Sequence, residues 1–213
     1  RLQHPDREAT VNGVDVAWFS RDTRWVFDGQ LLHSDVDDVT GKGGFFDLNY
    51  RPARGVQHTV NGTFLDDKLN INDVGYVQRN DHYVLDYRLS VTESGLTRYR
   101  SRQRTMNVIN QWNGEGRPVR LGLFVGQNLT YQDNTQLNMN FRYFPPRVDD
   151  RLSRGNGTYK IPHRLAYDIE WSSDRSRPIS YSARFGNGQE DLQRSNLSYE
   201  VGVQWQPNDR FNT

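Results

Sequence analysis

Gln136-Leu137-Asn138-Met139-Asn140-Phe141-Arg142-Tyr143 decides the fold class. Leu137, Met139, Phe141 and Tyr143 alternate with Gln136, Asn138, Asn140 and Arg142, the period of a β-strand with one apolar and one polar face. Downstream, Leu165, Tyr167, Ile169 and Trp171 oppose Arg164, Ala166, Asp168 and Glu170. Ile179, Tyr181, Ala183 and Phe185 repeat the pattern, as do Leu197, Tyr199, Val201, Val203 and Trp205. Upstream, Tyr83, Leu85, Tyr87, Leu89 and Val91 oppose Val84, Asp86, Arg88 and Ser90. No amphipathic helix interrupts the series.

Short polar segments of turn composition separate these runs, among them Asn113-Gly114-Glu115-Gly116, Ser173-Asp174-Arg175-Ser176 and Gln206-Pro207-Asn208-Asp209. Longer polar stretches at Ser34 to Gly44, Leu65 to Gln78, Pro145 to Pro162 and Gly186 to Ser195 read as loops. Short turns therefore alternate with long loops, at least in the second half. Roughly a dozen strands are expected, many near the length of about 9–11 residues that a tilted membrane-spanning strand needs. With no linker in sight, residues 1–213 read as a single β domain.

Composition narrows the class. The 213 residues are only 34% hydrophobic, little to fill the core that a soluble domain of this size buries, yet 12% are aromatic, too many for a disordered chain. No apolar run approaches the length of a spanning helix. A net charge of +1 gives no case for nucleic acid. Of the 27 basic residues only Lys42, Lys68 and Lys160 are lysines; the other 24 are arginines, the cation suited to gripping carboxylates in a rigid fork. The absence of cysteine excludes disulfides and thiolate chemistry. Arg1 reads as the start of a mature or excised piece.

Alternation alone fits either a soluble sandwich, whose apolar faces meet in a core, or an outer-membrane barrel, whose apolar faces meet lipid. Strand length favours the barrel, since strands of about five or six residues are usual in soluble sheets. So does the strongly polar character of the second face. Trp18, Trp25, Trp112, Trp171, Trp205, Tyr131 and Tyr143 fall near expected strand ends, where interfacial aromatic girdles sit.

Asn72-Asp73-Val74-Gly75-Tyr76-Val77-Gln78-Arg79 resembles the "N-x-x-V-G-[FY]-V-x-R" segment of a bacterial outer-membrane barrel domain of unknown function. That domain commonly follows a carbohydrate-binding-like module of family 9 type. The strands at Val11 to Asp15 and Gln57 to Leu65 and the closing Gly202 to Arg210 stretch are similar to its spacing. The resemblance implies location in the outer membrane of a Gram-negative bacterium and implies no reaction. The amino-terminal module is absent from this chain, so a sugar-binding role attached to it does not carry over.

The expectation is thus an antiparallel transmembrane β-barrel, or part of a larger one, with a porin-like pore, transport or surface-binding role. Its partners are outer-membrane lipid and other outer-membrane or periplasmic subunits; no cofactor and no nucleic acid are called for. One rival is an outer-membrane hydrolase of glycans or lipids using lumen or rim carboxylates, and another is a soluble β-sandwich binding module. Asp168 and Glu170 share a face about 6–7 Å apart, near the separation of paired glycosidase carboxylates. Pairing with Arg164 and Arg184 is the plainer account.

His4, His33, His58, His82 and His163 form no zinc-ligand spacing, and Gly41-Lys42-Gly43-Gly44 reads as a flexible turn, not a phosphate loop. The acidic pairs Asp37-Asp38, Asp66-Asp67 and Asp149-Asp150 read as solvated loop charge before they read as calcium ligands. Leu137, Met139, Phe141, Leu165, Tyr167, Ile169, Leu197, Tyr199, Val201 and Val203 should face outward. Inward, a charge network is expected from Asp86, Arg88, Arg98, Arg100, Arg102, Arg104, Arg164, Asp168, Glu170, Arg184 and Glu200, with Tyr99, Ser101, Gln103 and Thr105 outward. Arginine–carboxylate forks there would brace a narrow lumen, admit small solutes at most and leave no dedicated catalytic centre. Arg210 to Thr213 reads as the opening of another strand, so further strands are expected.

Overall fold

A computed structural model describes residues 2–4, 7–72, 79–149, 157–189 and 194–206. The strands are β1 (Leu2–His4), β2 (Arg7–Phe19), β3 (Trp25–Val36), β4 (Val39–Ala53), β5 (Val56–Leu65), β6 (His82–Ser94) and β7 (Tyr99–Trp112). They continue with β8 (Pro118–Tyr131), β9 (Gln136–Phe144), β10 (Arg147–Asp149), β11 (Tyr159–Ile161), β12 (Arg164–Ser172), β13 (Ile179–Gln189) and β14 (Ser195–Trp205). All but β10 and β11 form one twelve-stranded antiparallel sheet in simple chain order, while β10 and β11 pair by themselves. Excluding β1, strands of the large sheet run from 9 to 15 residues, long enough to cross a hydrocarbon layer of about 25–30 Å when tilted.

Antiparallel partners share a face, so the register fixes which residues stand together. One row runs Leu137, Trp171, Ala183 and Val201; the next runs Met139, Ile169, Phe185 and Tyr199. All ten residues expected to point outward lie on this face. On the large sheet every big exposed apolar residue except Phe19, Val39 and Phe45 lies there too. Tyr199 and Val201 are about four-fifths exposed. Among the described residues the buried apolar set is only Ala9, Val36, Leu69, Leu129 and Ile161. A soluble sandwich would hide this face against a second sheet; among the described residues no second large sheet covers it.

Aromatic side chains mark the strand ends. Trp25 stacks on Tyr50 with ring centroids 3.9 Å apart, Tyr50 leans on His58, and His58 Nδ1 lies 2.8 Å from the Tyr87 hydroxyl, a row across β3 to β6. Tyr83 and Trp112 stack near the opposite ends of β6 and β7.

The barrel expectation holds only in its coarser part. The fold is all-β and antiparallel, but β1 and β14 are the two ends of the strand order, and among the described residues nothing pairs them. The sheet is open. Two loop readings also change. Ser34 to Gly44 is no long loop, because β3 and β4 run through it and meet in a turn at Asp37-Asp38. Both residues have positive φ, at 51° and 64°, the pair of left-handed conformations of a tight hairpin, which aspartate tolerates. Asp37 Oδ1 accepts the Glu8 backbone N–H at 3.0 Å, a contact that ties the turn to β2. Gly186 to Ser195 is likewise shortened, since β13 continues to Gln189.

Gly41-Lys42-Gly43-Gly44 is strand, not a flexible turn. Its glycines admit the segment after β5: a Cβ on Gly41 would come within 2.3 Å of the Leu69 backbone. Asp66 anchors that segment by accepting the N–H groups of Lys42, Lys68 and Leu69 at 2.7, 3.1 and 2.7 Å. Ser34, fully buried, accepts the Asn70 N–H at 3.0 Å. Gly41 and Ser34 are register partners, so residues 66–72 lie across the polar face at this end. Gly41→Ala is expected to lift Leu69 and destabilise the fold by about 1–3 kcal/mol. A urea titration in detergent measures it; an unchanged midpoint would contradict the contact.

The turns fall into two groups. At one end the strands are joined by 20–24, 54–55, 95–98, 132–135 and 173–178, all short. At the other end lie the short connections 37–38, 113–117 and 190–194 together with the long ones 66–81 and 145–163. In the turn at 173–178, Asp174 accepts the Ser176 hydroxyl at 2.7 Å and its N–H at 2.9 Å, and these bonds hold its carboxyl below the usual carboxylate value. The stabilisation from a lowered folded value is complete above the unfolded value, about 4, and is lost as pH falls below that and through the lower folded value. Asp174→Asn is therefore expected to flatten a small acid-side loss of stability, read from unfolding midpoints between about pH 2 and 5.

Candidate functional site: the polar face of the sheet

The face opposite the apolar one carries the candidate chemistry. Asn138, Glu170, Arg184 and Glu200 make one row, and Asn140, Asp168, Gly186 and Ser198 the next. Asp47, Asn61 and Asp86 stand together further along, beside Asn49, Thr59, Arg88 and Asn107. The best-formed cluster is on β9 and β12. Arg142 Nη2 donates to Asp168 Oδ1, and Asn140 Nδ2 donates to Asp168 Oδ2 at 2.9 Å. Asp168 thus has both oxygens occupied. Glu170 shares its face, as expected, but its ion-pair partner is Arg175 in the adjoining turn at 3.8 Å. The partners foreseen from sequence, Arg164 and Arg184, are not those observed. Arg164 stands opposite Phe144 with its guanidinium 4.7 Å above that ring. Arg184 faces Glu170 and Glu200 in register.

The arginine ladder needs the largest correction. Arg102 and Arg104 lie on the apolar face, paired in register with Glu93 and Val91 and on their other side with Leu129 and Gln127. They converge on Glu93: Arg102 Nη2 is 2.8 Å and Arg104 Nη2 3.1 Å from its Oε2. Asp86 and Arg88 occupy the opposite face, so no fork joins them to this pair. The residues expected outward, Ser101, Gln103 and Thr105, are the ones on the polar face. Arg98 lies in the turn with its guanidinium 5.7 Å from the Tyr99 ring, and Arg100 donates to the Asn134 side chain of the neighbouring turn. The parity of Met106 and Val108, on the same strand and face as Arg102 and Arg104, was the signal that fixes this placement.

A family model for a domain of unknown function, DUF5916, matches residues 2–213. The chain belongs to that family. No curated protein and no solved structure matches it. The description of DUF5916 states no activity, so the chemistry of this DUF5916 domain rests on its own residues. The Asn72 to Arg79 motif lies mostly outside the described residues, as does the end of the Gly202 to Arg210 stretch and Asp150.

Sequence reasoning missed several members of the polar face of the DUF5916 domain. Arg142 was visible as a polar-side residue, but its pairing with Asp168 depends on the β9–β12 register. Phe124 and Phe144 interrupt the polar alternation and meet edge-on with centroids 5.3 Å apart on that same face. Gln57 Nε2 donates to Asn49 Oδ1 at 3.0 Å, and Thr59 Oγ1 donates to the same oxygen at 2.8 Å. A groove of about 480 Å³ beside them is lined by Arg88, Ser90, Gln103, Thr105, Asn107 and Phe124. Such a surface, rich in amides, hydroxyls and guanidiniums, offers hydrogen bonds to a polar solute.

Proposed function

We propose that this DUF5916 domain forms part of the wall of an outer-membrane β-barrel, with lipid against its apolar face and a path or binding surface for small polar solutes along its polar face. One observation carries the reading: long strands form a single sheet that leaves its large apolar side chains exposed on one face and gathers polar ones on the other. In water that face would be an aggregation surface far larger than soluble monomers tolerate; in lipid it is the required surface. The aromatic row at Trp25, Tyr50 and His58 and the Glu93–Arg102–Arg104 cluster, just beyond Val91, support an interfacial boundary there. Arginines at such a border extend their charged heads toward the headgroups.

The reading calls for partners. Backbone groups along an open edge cannot remain unpaired in hydrocarbon, at several kcal/mol each, so the two edges of the sheet close on each other or on other strands. Short turns face the periplasm in barrels of this class, and long loops face outward. A catalytic role for Asp168 and Glu170 has less support, because Asp168 is held by Arg142 and Asn140 as a structural brace.

The test is fractionation followed by reconstitution. The protein is expected in the outer-membrane fraction, to require detergent, and to give small, discrete conductances in planar bilayers. Arg142→Gln, which loosens the brace on the polar face, is expected to alter conductance, whereas Arg102→Gln on the lipid side is not. Recovery in the soluble fraction without detergent would overturn the proposal.

A further inference from the structure

The short-turn end of the sheet is strongly basic. Its turns and adjoining strand ends carry Arg21, Arg24, Arg51, Arg54, Arg175 and Arg177 among others, with Asp22, Glu93, Asp133 and Asp174 the acids there. The opposite end mixes Asp37, Asp38, Asp66, Asp67, Asp81, Glu115 and Asp149 with Lys42, Lys68, Arg79, Arg117, Arg147 and Lys160 in near balance. A chain with a net charge of only +1 is thus polarised along its strands, an arrangement that draws anions toward one end.

Within the basic end three arginines meet in one groove. A concavity of about 530 Å³ is lined by Arg24, Arg51 and Arg54, with Asp22, Gln57 and Ser90 among its other polar residues. The turns that present these arginines are tied down. The Arg51 N–H donates to the Arg24 carbonyl at 2.8 Å, and the Thr92 N–H donates to the Gly55 carbonyl at 2.7 Å. Gly55, with φ +78°, lies so close to β6 that a Cβ would meet the Thr92 oxygen at 2.0 Å. The groove's carboxylate is already engaged, since Asp22 accepts the Ser20 hydroxyl at 2.6 Å and the Arg24 N–H at 3.2 Å, and lies 3.5 Å from Arg24 Nε. Arg51 and Arg54 are exposed on its rim. Gln57 and Ser90 are shared with the groove that contains Arg88, so donors continue from this mouth along the polar face.

We propose that the Arg24–Arg51–Arg54 groove binds a phosphate group, mono- or diester, at the short-turn mouth of the polar face. Guanidinium forks match tetrahedral oxyanions bidentately, and fixed turns reduce the ordering cost of bringing three cations together. The inference goes beyond the membrane reading and stands on the groove alone. Two sources supply such a group, a phosphorylated solute or the headgroup of an anionic phospholipid, and the two arms of the test separate them.

Detergent-solubilised protein is titrated with inorganic phosphate by calorimetry, and in parallel is scored for retention by vesicles of phosphatidylglycerol against vesicles of phosphatidylcholine. Two variants are compared with the parent: Arg51→Gln with Arg54→Gln in the groove, and Arg98→Gln with Arg100→Gln as a charge-matched control at the same end. Saturable phosphate binding that weakens at least tenfold in the groove variant and less than twofold in the control supports the site and assigns a soluble ligand. Selective loss of phosphatidylglycerol retention in the groove variant, without a response to phosphate, supports it and assigns the headgroup. Absence of both responses, or equal losses in the two variants, overturns it. Circular dichroism melts in detergent confirm that both variants fold; if the groove pair fails to fold, Arg54→Gln alone is used, with a threefold loss as its threshold. Detergent dependence, tested separately, reports on the membrane reading.

Discussion

Met139→Arg and Ile169→Arg are each expected to destabilise the protein in lipid by roughly 2–4 kcal/mol, the cost of a cation near the middle of a lipid-facing strand. The two residues are register partners in mid-strand on the apolar face. Ile169 is 42% exposed within the chain, so its own neighbours give no reason for so large a penalty; the surrounding solvent must supply it. Asn138→Arg, one residue away on the polar face and opposite Glu170, is expected to change stability by less than about 1 kcal/mol. Urea titrations in phospholipid vesicles measure all three. Equal penalties on the two faces would remove the case for lipid on the apolar one.

Asp168→Ala is expected to cost about 1–3 kcal/mol, because it strands the Arg142 guanidinium and the Asn140 amide on the polar face. The Asp168 side chain is 15% exposed and that of Arg142 41%, so solvent screens part of the pair and keeps the figure below that of a fully buried bridge. A double-mutant cycle with Arg142→Gln is expected to give a coupling of about 1 kcal/mol. A coupling near zero would show that the two groups brace nothing. The cycle also bears on catalysis, since a brace loses stability on mutation whereas a reacting carboxylate need not.

These results turn on faces, and the faces were largely legible in the sequence. Leu137, Met139, Phe141 and their counterparts in the later strands declare a two-residue period, and backbone geometry then leaves only the choice of which side they occupy. The turns at 113–116 and 173–176 were equally plain from glycine, asparagine, aspartate and serine. The strand-end positions of Trp25, Trp112 and Trp205 followed from the same counting. Even the facing of Arg102 and Arg104 was within reach, because Met106 and Val108 share their parity; a run of alternating arginines drew attention from it.

What the sequence by itself determined is therefore local: strand, turn and face follow from steric preferences and from the alternation of one chain, without reference to any other strand. The tertiary structure alone decided which polar residues became partners. Register, set by hydrogen bonds between strands, put Asp168 beside Arg142 and left Arg164 above Phe144. Contact between distant segments likewise explains why Gly41 is glycine, since Leu69 occupies the space of its side chain from 28 residues away. The backbone tie between Arg24 and Arg51 brought separate turns into one groove. Alternation sets which way a side chain points but carries no information about its neighbour across the sheet, because a slip of two residues preserves every face and changes every partner.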